Sequence, residues 1–134
     1  MVTESFGKLI EQAVASWPGV TVAPHRFGGV EFRVGRRELG HLHGNRLADL
    51  PFPVRVREQL VAAGRAGPHH VLPESGWVSV RLRRSEDVAS VIELFRLNYE
   101  RGWLKATDAK LAAPLFQPIH PSPTDVVLLR RVLR

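Results

Sequence analysis

The chain has 134 residues, 44% of them hydrophobic, and a formal net charge of +6. That length suits one domain with enough apolar material for a packed core, which excludes a disordered polymer. Cysteine is absent, which excludes disulfides and thiolate metal sites.

The opening "MVTESFGKLIEQAVASWPGV" has no basic head followed by an apolar run, so no signal peptide is read there. No stretch is apolar for long enough to span a bilayer, and a soluble cytoplasmic protein is expected. A first helix is predicted from about Glu4 to Ser16, with Phe6, Leu9, Ile10, Ala13 and Trp17 as its apolar stripe and Pro18-Gly19 as its stop. "VTVAPHRFGG" reads as a short strand and turn. "VEFRV" alternates, with Val30, Phe32 and Val34 on one face and Glu31 and Arg33 on the other. "RRELGHLHGN" continues the meander. A second helix follows in "PFPVRVREQLVAAG", with Pro53 in its first turn and Gly64 past its end. "GPHHVLPESGWVSVRLR" is a short strand, a turn, and a longer strand from Trp77 to Arg83. "SEDVASVIELFRLNYERG" is a helix capped by Ser85, with Glu86 and Asp87 at its positive start and Gly102 as its exit. Its stripe of Val88, Val91, Ile92, Phe95 and Tyr99 is a packing surface.

The order is helix, strand meander, helix, strand pair, helix. Consecutive short strands pair antiparallel, which predicts an α+β domain over residues 1–102: an antiparallel sheet packed with three helices. Residues 103–134 form an extension, proline-rich in "APLFQPIHPSP" and then a short helix or strand, expected to clasp its own domain or a twin subunit in a homodimer.

His41 and His43, two apart, share a face of a regular strand with Leu39, while Glu38, Gly40 and Leu42 face the other way. A two-residue turn at Gly35-Arg36 would set Val34 opposite Arg37, Phe32 opposite Leu39 and Val30 opposite His41. The histidines would then line the inner face with Val30 and Phe32; a three-residue turn would move them to the face of Glu31 and Arg33. Of the adjacent His69 and His70, strand parity lets only one join the pair, with Trp77 as an aromatic wall. His25 and His120 sit by turns or prolines and read as surface residues.

Such a cluster suits proton transfer, because an imidazole titrates near ~6.5 and can take a proton from an acidic enol. It also suits a metal, three imidazoles plus water being a catalytic zinc arrangement. Against a metal, Asp49 reads as remote, and Glu38 faces away unless the strand bulges at Gly40. No helix-turn-helix spacing, aromatic RNP-like strand or glycine-lysine loop is present, so nucleic acid is not expected. The scattered arginines, interleaved with acids, read as solvated surface.

"RRELGHLH", then a helix ending in glycine, then the segment Gly64 to His70, then "GWVSVRL" and a helix, resembles the fungal luciferase domain family, which has bacterial members of unassigned function. The resemblance runs from about Val30 to Tyr99. A second likeness, in strand order and in the glycine-to-histidine region, is to small bacterial domains of the MmcQ/YjbR type. The luciferase resemblance implies oxygenation of an enolic aromatic or pyrone-like small molecule by molecular oxygen, with no cofactor and no metal. On that reading His41, His43 and His70 are catalytic, and Arg37, Phe32, Trp77 and His69 bind substrate. Two features depart from the family: the fungal enzymes' apolar N-terminal anchor has no equivalent here, and the tail has no counterpart.

Overall fold

The computed structural model describes residues 6–110. Three helices, α1 (Phe6–Ala15), α2 (Val54–Ala62) and α3 (Ser85–Lys110), join six strands. These are β1 (Val20–His25), β2 (Gly29–Val34), β3 (Arg37–His43), β4 (Leu47–Pro51), β5 (Gly67–Pro68) and β6 (Trp77–Arg81). The strands form one antiparallel sheet in the order β1-β2-β3-β4-β6-β5. The α+β architecture expected from the element order is the one observed. The expected homodimer contact of the tail, and His120 within it, lie outside the described residues.

One sheet face is apolar and carries the helices. Phe32, Leu42, Ala48, Leu50 and Val78 are buried there against Val91, Leu94 and Phe95 of α3, and the Phe32 and Phe95 rings meet edge to face with centroids 5.2 Å apart. α1 buries Phe6, Ile10 and Val14, a strict four-residue spacing. Leu9, expected in that stripe, is 46% exposed because it falls beside the stripe rather than on it. Trp17 then packs on Tyr99 at 5.3 Å, and the Tyr99 hydroxyl donates to the Pro18 carbonyl at 2.6 Å, which locks α1 to α3.

Two boundaries differ from expectation. Ser85 is the first helical residue of α3 rather than its cap; the Asp87 carboxylate reaches back to accept the backbone N–H groups of Arg83 and Arg84 at 2.8 and 2.9 Å. Gly102 does not end α3, which continues to Lys110.

The β2–β3 hairpin decides everything about the site. The two-residue turn holds, with Val34 opposite Arg37, but the register slips by one between Phe32 and Arg33. Glu38 opposes Arg33, Gly40 opposes Phe32, and Leu39 is the extra residue of a β-bulge. Gly40 makes the bulge feasible: its φ is +149°, and a Cβ there would lie 2.7 Å from the Asp49 carbonyl and 2.8 Å from Phe95 Cε1. The bulge leaves the Leu39 carbonyl without a ladder partner. Asn98 of α3, fully buried, donates its Nδ2 to that oxygen at 2.9 Å and to Pro51 O at 3.0 Å.

The expectation that His41 and His43 line the inner face with Phe32 and Val30 is therefore corrected. His41 pairs with Glu31, and Leu42 pairs with Val30. The histidines occupy the sheet's second face, opposite the helices, while Leu39, expected beside them, is buried in the core. The same bulge brings Glu38 onto the histidine face, because two bulge residues share one side.

Candidate metal centre on the second sheet face

The second face collects polar side chains from five places in the chain. β3 supplies Glu38, His41 and His43. β4 supplies Asp49, whose Cα partners are His41 on one side and Ser79 of β6 on the other. The segment between β5 and β6 supplies His69 and His70, and β1 with β2 supplies His25 and Glu31.

Asp49 is the centre. It is 1% exposed, and its Oδ2 lies 2.9 Å from His43 Nε2, 3.3 Å from His41 Nε2, 3.5 Å from His70 Nε2 and 3.6 Å from His69 Nε2. Its Oδ1 accepts from Ser79 Oγ at 2.5 Å. Burial pushes the Asp49 carboxyl up, but the hydrogen bonds from His41, Ser79 and His43 outweigh it and hold the group well below the usual carboxylate range. His41 is buried between two acids, its Nδ1 donating to Glu38 Oε2 at 2.8 Å. Burial lowers its affinity for a proton, yet Asp49 and Glu38 together raise the imidazole to about 9.

The tautomers sort the imidazoles. Glu38 takes the Nδ1–H of His41, which leaves Nε2 as the coordinating atom, the carboxylate–histidine arrangement that orients metal ligands. His69 is the opposite case. Its Nδ1 accepts the backbone N–H groups of Val71 and Leu72 at 3.1 and 3.0 Å, so in the neutral ring the proton sits on Nε2, facing Asp49. His69 is thus a hydrogen-bonding wall. Burial depresses its basicity, and Asp49 only partly restores it.

Among the described residues, two sets offer ligand atoms within 4.8 Å of one another: His41, His43 and Asp49, and Asp49, His69 and His70. Their N···O separations have the scale of a coordination polyhedron. Donors ~2.1 Å from a metal are ~3.0 Å apart at octahedral edges and ~3.4 Å apart at tetrahedral ones.

Of the residues expected to act on substrate, His41, His43, His69, His70 and Trp77 are brought together. Trp77 lies 5.2 Å from His41 and 6.0 Å from His69, ring to ring. Both His69 and His70 approach Asp49, against strand parity, because β5 ends at Pro68 and neither is in a ladder. Phe32 and Arg37 are not part of the assembly. Phe32 is buried on the helix face, and the Arg37 guanidinium donates to Asn98 Oδ1 at 2.8 Å beneath α3, with burial lowering its pKa to about 10. His25, expected to be a surface residue, stacks on His41 with centroids 3.9 Å apart and donates to Glu31 Oε1 at 3.0 Å. Asp49, which reads as remote in the sequence, is instead the direct neighbour of His41. Its signal was the tight Gly44-Asn45-Arg46 loop, which closes the hairpin with His43 opposite Leu47 and so His41 opposite Asp49.

An α+β domain with a buried His/Asp cluster able to coordinate a metal is the class that fold and site define. A family model described as "Luciferase domain" matches residues 36–98, just under half of the chain. The match spans the bulge, Asp49, both histidine segments and Asn98, and the chain is similar to that family over this stretch. No curated protein and no solved structure matches. No helix among the described residues is long and apolar enough to cross a membrane.

Proposed function

We propose that the cluster is a metal centre acting on a small molecule, in which His41 Nε2, His43 Nε2 and Asp49 hold one divalent first-row transition ion and His70 can fill a further position. The observation that carries this reading is the convergence of several imidazole nitrogens on one buried carboxylate oxygen. An oxygen has two lone pairs for donors, yet four imidazole nitrogens lie within 3.6 Å of Asp49 Oδ2, more than it can serve at good hydrogen-bond geometry. A cation between these atoms would satisfy all of them at once. Two histidines and one carboxylate with open positions is the donor set of non-haem iron(II) oxygenases, and it also accepts zinc, cobalt or manganese.

Metal analysis of chelator-stripped protein, reconstituted in turn with zinc, cobalt and iron(II) and then desalted, tests the proposal. One ion per chain is expected for the native protein and for His69→Gln, with loss in His43→Ala and Asp49→Asn. Less than about a tenth of an ion per chain with every metal overturns it.

A second reading keeps the chemistry implied by the luciferase resemblance: metal-free oxygenation of an enolic aromatic, with the histidines handling its proton and anion. The flat wall that Trp77 gives His41 favours it. Oxygen uptake with an enolic aromatic that persists in chelated protein supports this reading; uptake abolished by chelator assigns the oxygen chemistry to the metal form.

A further inference from the structure

Beside the cluster an open cleft of about 670 Å³ runs from His70 and Ser79 to the start of α3. A cavity of that size accommodates a small organic molecule. Its wall carries four arginines, Arg65, Arg81, Arg83 and Arg84, and one acid, Asp87. The acids nearby are already committed: Asp87 accepts the backbone N–H groups of Arg83 and Arg84, and Glu93 pairs with Arg65 at 3.1 Å. The guanidinium groups of Arg81, Arg83 and Arg84 form no ion pair with any described carboxylate. Asp87 offsets part of the charge of Arg83 and Arg84, but four arginines against one acid leave the concave wall net positive, which favours a bound anion, and guanidinium matches carboxylate and phosphate oxygens in bidentate geometry.

The cleft and the His/Asp cluster share two residues. His70 lines the cleft and stands 3.5 Å from Asp49 Oδ2; Ser79 lines it and donates to Asp49 Oδ1. We infer that this cleft is the substrate site of the centre and that its ligand is a small organic anion, a carboxylate or a phosphate ester. Arg81, Arg83 and Arg84 hold the acidic group, and the rest of the molecule extends past His70 toward Asp49. The inference deepens the metal-centre reading and depends on it for the orientation of the ligand, not for the anion site itself.

The test titrates the full chain with phenyl phosphate, with benzoate, and with uncharged benzyl alcohol, followed by calorimetry and by backbone amide shifts. Either acid should bind at least about tenfold tighter than the alcohol, weaken as salt rises, and shift amides between Arg81 and Ser90. The better of the two acids assigns the acidic group. Arg81→Gln/Arg84→Gln, which alters two exposed side chains, should cost about tenfold or more in that affinity while its metal content stays at the native level. In His43→Ala the metal should be lost while anion binding persists, so failure of the metal reading is told apart from failure of this one. Equal binding of benzyl alcohol, unchanged affinity in the double arginine variant, or no binding of either acid at roughly 10 mM would overturn the inference.

Discussion

Replacing Gly40 by alanine tests the geometry on which the whole site rests. The residue sits at φ +149°, where an L side chain is strained, and the added Cβ would stand 2.7 Å from the Asp49 carbonyl, 2.8 Å from Phe95 Cε1 and 3.0 Å from Leu50 Cγ. The first of these neighbours is backbone in the central ladder and the other two are core side chains, so little can yield. Backbone strain of about 1–3 kcal/mol and overpacking of about 1–3 kcal/mol place the destabilisation at roughly 2–6 kcal/mol, a large part of a typical domain's 5–15 kcal/mol. For a domain of this size, at about 4 °C per kcal/mol, that corresponds to a melting temperature lower by roughly 8–24 °C. Urea titration and thermal unfolding of metal-free protein read both quantities. The folded fraction should also lose metal affinity, because relaxing the bulge separates Glu38 from His41 and turns the histidines relative to Asp49. A variant within about 0.5 kcal/mol of the native protein, with full metal affinity, would show that the bulge at Gly40 does not hold the site together.

Glu38→Gln removes the carboxylate that orients His41 but leaves the ligands intact; metal affinity measured by competition with a chelator should fall about 10–100-fold. Phe32→Ala should destabilise the fold by about 3–5 kcal/mol in urea while leaving the metal content of folded protein unchanged, as fits a core residue on the helix face. Asp87→Ala should cost about 1 kcal/mol through the α3 N-terminus. Its pH dependence has a definite sign. Burial raises the Asp87 carboxyl, but the backbone N–H groups of Arg83 and Arg84 lower it further, below the ordinary 3.8. Its contribution is then complete above that ordinary value and lost as the pH falls through the lower folded value, so the native and Asp87→Asn proteins should differ most in urea midpoint near neutrality and converge in strong acid.

The elements themselves were legible because their causes are local. Periodicity marks α1 and α3, Pro53 and Gly64 bracket α2, alternation marks β2, and Gly35 sets the two-residue turn that the hairpin uses. The face of the histidines was not legible, although their common orientation was. What reverses it is a bulge stabilised by Asn98, a residue 59 positions from Leu39, and by the lack of room at Gly40 between β4 and α3. Nothing within the strand announces such contacts beyond the glycine. Asp49 was hidden for a related reason: seven residues separate it from His41 in unpaired counting, but the β3–β4 register makes them direct neighbours. His70 and His69 escaped the parity rule because that rule holds only where a strand is paired. His25 joined the site through its place on β1, from which its ring reaches across β2 to stack on His41.

Diffraction from crystals soaked in zinc, recorded on both sides of the zinc absorption edge, decides whether the imidazoles and Asp49 share a metal ion. An anomalous peak is expected on the second sheet face, ~2.0–2.2 Å from His41 Nε2, His43 Nε2 and an Asp49 oxygen, with His69 Nε2 outside the coordination sphere. A peak elsewhere, or full zinc occupancy with His41 and His43 still directed at Asp49 and not at the ion, would contradict a shared ion.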